Sequence, residues 1–169
     1  MVLNIFTGMN TVYLLLGSNQ GDRSQWLKHA EQLLEANCGT IIKRSSIYET
    51  SAWGLENQPD FLNSVICIHT ELSPSDLLNC IHQIEQQSGR QRNVKWGQRT
   101  LDMDILLYNN EIINLPGLEI PHPYLPQRRF TLMPLCEIAP NIMHPILKKT
   151  MQELLNECPD KLEVRKYVS

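Results

Sequence analysis

Apolar residues recur along this chain in two periods, and the alternation between them sets out its elements. Residues 11–16 form a short apolar run rich in strand formers, closed by the turn residues Gly17, Ser18, Asn19, Gln20, Gly21 and Asp22, which predicts a strand and then a loop. Trp26, Leu27, Ala30, Leu33 and Leu34 then return at helical spacing until Asn37 and Gly39, so a helix is predicted over 24–36. Residues 40–48 alternate again, Ile42 and Arg44 on one side and Ile41, Lys43 and Ser45 on the other, as a second strand. A loop containing Trp53 and Gly54 separates it from a third strand at 61–70. Ser73, Pro74 and Asp76 combine an N-cap, a proline at the first helical position and an acid three residues after the cap, so a second helix starts there. Its buried stripe is Leu77, Ile81, Ile84 and Ser88, with Glu85 beside the stripe.

Residues 101–108 read as a fourth strand. Side chains two apart on a strand share a face, so Leu101, Met103 and Ile105 turn to the core while Asp102 and Asp104 project together. Asn109 and Asn110 turn the chain, and 111–113 return as a short strand. The segment 121–126 holds three prolines and fits neither helix nor central strand, whereas 130–138 is helical around Pro134 and 151–157 is a last helix stopped by Pro159. Strand, helix, strand, strand, helix, strand is the order of a ferredoxin-like α+β sandwich, an antiparallel βαββαβ sheet with two core helices, here with a C-terminal strand and helix decoration. At 169 residues and 42% hydrophobic content one domain over 1–169 is expected, with 1–10 as a leader.

A formal charge of -3 argues against a surface that embraces nucleic acid or anionic membrane throughout. The positive charge is local: Arg90, Arg92, Lys95 and Arg99, with Trp96 among them, contain no acid in their midst. Such a cluster needs an anionic partner. The acid pair just downstream suits a hard cation such as Mg²⁺, which takes few carboxylates and leaves positions for water and phosphate. By itself the Asp-x-Asp alternation equally fits a half-exposed sheet with a solvated face. A P-loop is absent, so phosphates must be gripped by side chains, for which the planar fork of arginine is suited; Arg128 joins Arg90, Arg92 and Arg99 as candidates. Asn63, an amide in an apolar strand, needs partners, which a ligand edge, a turn or a water would each provide. Phe61 and Phe130 alone read as core, Glu85 and His122 alone as solvated groups. The five cysteines, an odd count without Cys-x-x-Cys spacing, are expected as free thiols of a soluble, cytoplasmic protein, and no window approaches a membrane span.

Taken together, Leu16-Gly17-Ser18-Asn19, Gln58-Pro59-Asp60-Phe61-Leu62-Asn63, Glu85 with Gly89-Arg90 and Arg92, Trp96-Gly97 with Arg99-Thr100-Leu101-Asp102 and Asp104, and Pro121-His122 followed by Arg128-Arg129-Phe130 resemble the 6-hydroxymethyl-7,8-dihydropterin pyrophosphokinases of folate synthesis over nearly the whole chain. The resemblance implies the same ferredoxin-like fold and transfer of the pyrophosphoryl group of ATP to the pterin hydroxymethyl oxygen, with attack at the β-phosphorus and AMP released. It implies that Asp102 and Asp104 hold two Mg²⁺ ions, and that Arg90 and Arg92 close over the phosphates. ATP would be bound by Glu85, Arg92, Trp96, Arg99, Ile105, His122 and Arg128, with Trp96 helping to seal out water. The pterin ring would lie between Phe61 and Phe130, its edge paired to Asn63 and to groups from Thr50 to Trp53. The pattern departs from the family at His82, Pro123 and Trp53, which concerns contacts rather than reaction class. Small-molecule substrates and a monomer are expected.

Two other classes compete: a ferredoxin-like RNA-binding module, and a non-catalytic small-molecule-binding domain of the same fold. The carboxylate pair counts against the first, since it repels a phosphate backbone, and no RNP1 pattern is present. The carboxylates and arginines together count against the second.

Overall fold

The computed structural model describes residues 8–51, 57–89 and 100–169, and its elements follow the hydrophobic periods closely. Strand β1 (Asn10–Ser18) leads into helix α1 (Arg23–Asn37), which starts where the Asp22 side chain accepts the Gln25 N–H at 3.1 Å. Strands β2 (Thr40–Arg44), β3 (Tyr48–Thr50) and β4 (Phe61–Thr70) follow, then helix α2 (Pro74–Gln87), capped as expected by Ser73, whose Oγ accepts the Asp76 N–H at 3.2 Å. Beyond β5 (Asp102–Tyr108) come the short strands β6 (Ile113–Leu115) and β7 (Leu118–Ile120), a 3-10 turn at Leu125–Gln127, helices α3 (Arg129–Ile138) and α4 (Met151–Glu157), and a last strand β8 (Val164–Lys166).

The main sheet runs β5-β1-β4-β3-β8, with β2 also on β4, and every pairing is antiparallel. With β2 and β3 sharing the length of β4, this is the ferredoxin-like order anticipated from the element sequence. Helices α1 and α2 cover one face through Leu14, Leu16, Leu27, Leu34, Ile66, Ile81 and Met103. Each such side chain fully buried stabilises by roughly 1.5–3 kcal/mol before entropy is counted. Gly39 lets α1 return to the sheet: a Cβ there would sit 2.2 Å from the His69 carbonyl oxygen.

Four departures from the sequence reading have physical causes. The predicted strand over 40–48 is broken, because the Ser45 hydroxyl takes the Val65 N–H at 2.9 Å and interrupts the ladder between β2 and β3. The short strand expected at 111–113 forms at Ile113–Leu115 and pairs with β7, not with β5. The opposite face of the sheet is also covered, by α3 and α4, with a second core of Leu15, Val65, Leu107, Leu132, Leu135 and Leu154. And the five cysteines are not all thiols: Cys38 and Cys80 form a disulfide with Cα atoms 6.5 Å apart, while Cys67, Cys136 and Cys158 are free and buried. The bonded pair is 42 residues apart in sequence and is brought together by the packing of α1 beside α2, which no local spacing announces. No helix among the described residues is long and apolar enough to cross a membrane.

Candidate active site

One register row crosses the sheet on the α3 side. Asp102 of β5 faces Gly17 of β1, Gly17 faces Asn63 of β4, and Asn63 faces Tyr48 of β3. Directly paired residues share a face, so the acid, the glycine, the amide and the phenol lie in line. Two strand spacings separate Asp102 from Asn63, about 9.6 Å. The next row places Asp104 opposite Leu15, and a further row places Phe61 opposite Thr50. Asp102 and Asp104 are therefore neighbours on one face, both partly exposed, while Met103 and Ile105 between and after them are buried against α1 and α2.

Gly17 is the residue whose role the sequence does not state. A Cβ built on it would stand 2.7 Å from Asn63 Oδ1 and 3.8 Å from Phe61 Cδ1, so the missing side chain is what gives the Asn63 amide its place. The signal was present in the Leu16-Gly17-Ser18-Asn19 motif, whose glycine could be read as a turn residue as readily as a cradle. Asn63 is buried, and so is Thr50 beside Phe61. Asn19 is buried too and fastens the end of β1 to the segment before Phe61, donating from Nδ2 to the Pro59 carbonyl at 3.2 Å and to Gln58 Oε1 at 3.3 Å.

Glu85 lies beneath β5. It is 1% exposed, and its Oε1 accepts the Met103 N–H at 2.9 Å, tying α2 to the strand between the two aspartates. Thr100 ties the strand's approach to the same helix by donating to the Ser88 carbonyl at 2.8 Å. Ile105 sits in the core on the α1 and α2 side, on the face opposite the acids.

His122 follows a cis Ile120–Pro121 bond, and its own N–H donates to the Leu106 carbonyl at 3.0 Å, which moors it beside β5. Its Nδ1 accepts the Tyr124 N–H at 3.2 Å, leaving Nε2 to carry the ring proton, 3.9 Å from Asp104 Oδ1. Burial pushes the imidazole down to about 4, the positive charge of Arg128 acts the same way, and Asp102 opposes both. The ring is thus neutral near pH 7, a donor through Nε2. Arg128 is 6% exposed, its guanidinium 4.7 Å from the ring centre of Tyr124 and 5.6 Å from that of Phe130. A planar cation held against two aromatic faces is fixed in direction before any anion arrives. Phe130, in the first turn of α3, is partly buried against the second core.

The structure thus brings Thr50, Phe61, Asn63, Asp102, Asp104, His122, Arg128 and Phe130 to the α3 side of the sheet. It puts Glu85 and Ile105 in the layer behind β5. His82 is half-buried on α2, and Pro123 is exposed beside His122. Arg90, Arg92, Trp96, Arg99 and Trp53 lie outside the described residues. Among the described residues no three His, Cys, Asp or Glu side chains converge as a metal cage, so a cation held here takes the Asp102 and Asp104 pair and completes its shell from elsewhere.

A family model described as 7,8-dihydro-6-hydroxymethylpterin-pyrophosphokinase matches residues 13–140. A 2-amino-4-hydroxy-6-hydroxymethyldihydropteridine pyrophosphokinase of Aquifex aeolicus is 47% identical over 149 residues, covering 88% of this chain and 92% of the relative. The protein of the same name from Bacillus subtilis is 47% identical over 134 residues, covering 79% of this chain and 80% of its own. Among solved structures, a Plasmodium falciparum HPPK-DHPS chain crystallised with pteroate superposes with a TM-score of 0.73 at 18% identity. That likeness is one of fold, and it covers 93% of this chain but 44% of the longer one.

Proposed function

Because the chain belongs to the 7,8-dihydro-6-hydroxymethylpterin-pyrophosphokinase family, we infer that it transfers the pyrophosphoryl group of ATP to the hydroxymethyl oxygen of 6-hydroxymethyl-7,8-dihydropterin, releasing AMP. It is a transferase of folate synthesis. The observation that supports the reading is the row Asp102, Gly17, Asn63: it sets a carboxylate and a buried amide on strands about 9.6 Å apart on one face, with the amide seated over a glycine that leaves it room.

Asp102 and Asp104 are the residues that would hold Mg²⁺. The fit is chemical: two partly exposed carboxylates on one strand face, without a third protein ligand among the described residues, match an ion that binds one or two carboxylates together with substrate phosphates. When bound, two such ions neutralise the triphosphate and acidify the attacking alcohol.

The chain's own groups do the rest. Asn63 supplies an amide acceptor and donor to the pterin edge, with Thr50 and Trp53 completing it, and Phe61 and Phe130 stack on the two ring faces. His122, neutral and with Nε2 protonated, donates toward phosphate oxygen beside Asp104 without adding a second charge. Arg128, pre-oriented by Tyr124 and Phe130, grips the nucleotide, joined by Arg90, Arg92 and Arg99, with Trp96 closing the site to water. Glu85 and Ile105 support the ATP side from behind β5, the carboxylate by holding the Met103 N–H and so the spacing of the two aspartates.

The test is the nucleotide product. Purified protein with ATP, Mg²⁺ and the hydroxymethyl pterin is expected to form AMP; ADP would refute the assignment. Asp102→Ala or Asp104→Ala is expected to lower kcat by about 10³-fold or more, consistent with loss of groups acting on the transition state, with the circular dichroism spectrum unchanged. Turnover within tenfold of wild type in both variants would remove the acids from the mechanism.

A further inference from the structure

The row that carries the site does not stop at Asn63. Tyr48 is the next residue along it, 4% exposed, and its hydroxyl donates to Glu137 Oε2 at 2.5 Å. The other oxygen of the same carboxylate accepts the Ser46 N–H at 2.9 Å and the Ser46 hydroxyl at 2.8 Å. Three donors from the β3 edge of the sheet therefore converge on one side chain of α3.

Glu137 stands seven residues after Phe130. At 3.6 residues per turn that is almost two full turns, so the two side chains lie on nearly the same side of α3, about 10.5 Å apart along its axis. Pro134 falls between them and has no N–H to donate to the Phe130 carbonyl, four residues earlier, but the helix runs on through it from Arg129 to Ile138 and joins the two ends. The first turn has its own fastening, the Arg129 N–H donating to Asp160 Oδ2 at 3.0 Å.

Apolar contacts from Leu132 and Leu135 press α3 onto the sheet, yet such contacts are non-directional and tolerate sliding. Charge-assisted hydrogen bonds do not. We propose that Glu137 and Tyr48 are positioning residues for the pterin: their clasp fixes where α3 lies over the sheet, and so sets the gap between the Phe130 ring and the Phe61 and Asn63 end of β4 at the thickness of one flat heteroaromatic molecule. The proposal rests on the pterin reading above and adds to it the residues that hold the slot's width. The protonation states agree with the geometry. Burial pulls Glu137 upward, but the hydrogen bonds from Tyr48 and Ser46 outweigh it and hold the carboxyl below its ordinary range, while burial and that same carboxylate push the Tyr48 phenol up. The proton stays on Tyr48 and the charge on Glu137.

The experiment uses the full chain with Tyr48→Phe, Glu137→Gln and both changes together, measuring KM for ATP and for the pterin, kcat, and direct pterin binding by fluorescence. Each single variant is expected to raise pterin KM and Kd about 5- to 30-fold, less than the full loss of a hydrogen bond to a charged group because the effect reaches the pterin through α3, with ATP KM within about twofold. The double variant is expected to be no worse than about twice the weaker single, since the two residues form one contact. Glu137→Asp, which keeps the charge but shortens the reach, should recover less than half of the lost affinity. Pterin KM unchanged in folded Tyr48→Phe and Glu137→Gln overturns the proposal, as does an equal rise in both KM values. Where either variant fails to fold, Ser46→Ala decides: pterin KM rising about two- to fivefold supports the clasp, and no change overturns it. If wild type forms no AMP, the functional reading falls and the proposal with it; if wild type turns over normally and only the variants are silent, the proposal falls alone.

Discussion

Adding a methyl group at Gly17 asks a sharp question of the site. Its carbon would lie 2.7 Å from Asn63 Oδ1, closer than non-bonded atoms approach, and the amide is buried with little room to retreat. Gly17→Ala is expected to raise pterin KM by about tenfold or more while ATP KM moves less than threefold, because the displaced amide is the group proposed above to pair with the pterin edge. Steady-state kinetics on both substrates decides it; a matched change in the two KM values would mean that the glycine serves the sheet and not the slot. Glu137 offers a second residue-level check through pH. Its folded pKa is held below the ordinary 4.5, with Tyr48, Ser46 and Lys166 as the groups that favour the charged form. A depressed carboxylate contributes stability above the unfolded pKa and loses it as pH falls through the folded value. The stability difference between wild type and Glu137→Gln is therefore expected to be constant from pH 7 to about 5 and to shrink steadily below 4.5, measured by urea unfolding at each pH. A difference that grows as the solution is acidified would reverse the assignment.

At the scale of elements, the most legible piece was β5. Strict alternation of Leu101, Asp102, Met103, Asp104 and Ile105 states which side meets the helices and which carries the acids, and the structure keeps that division. The N-cap of α2 was equally readable, since Ser73, Pro74 and Asp76 each act within four residues of one another. Features that depend on distant segments left no local trace. The break after β2 is caused by a hydroxyl bonding to β4, 20 residues on, and serine in a strand pattern does not announce a partner. The Cys38–Cys80 link likewise arises from α1 and α2 lying side by side, and from sequence the odd count argued for thiols. Closing a loop of 42 residues stabilises by about 4 kcal/mol if the effect lies wholly in the unfolded chain. Treatment with a dithiol reductant, or Cys38→Ser with Cys80→Ser, is expected to lower Tm by on the order of 10 °C, while AMP formation at 25 °C stays within twofold, because both cysteines lie among the helices on the face away from the site. A Tm indifferent to reductant would show that the link does not form in solution.

The whole molecule divides its labour between the two faces of one sheet. The α1 and α2 face is apolar and broad, and its side chains meet the site only from behind, through Glu85 and the buried side of β5. The α3 and α4 face carries the acids, the amide and the aromatic walls above a second core whose members also position Phe130. The element order alone disclosed the first layer; the helices at 130–138 and 151–157 were also legible, but not that they cover the opposite face, because their packing on Val65 and Leu107 joins segments far apart in sequence. If this division is real, cavities of equal size on the two faces should differ in kind. Leu34→Ala, at the far end of α1, and Leu132→Ala, two residues after Phe130, each empty a fully buried leucine site and should cost about 2–5 kcal/mol of stability. Only Leu132→Ala loosens the helix that carries Phe130, proposed above as a wall of the pterin slot, so only it is expected to raise pterin KM, by about five- to tenfold, leaving ATP KM within twofold. Urea unfolding establishes that the two variants are comparably destabilised, and kinetics at a temperature where both remain folded supplies the comparison. Equal pterin KM values in the two variants would place stability and substrate positioning in one undivided core.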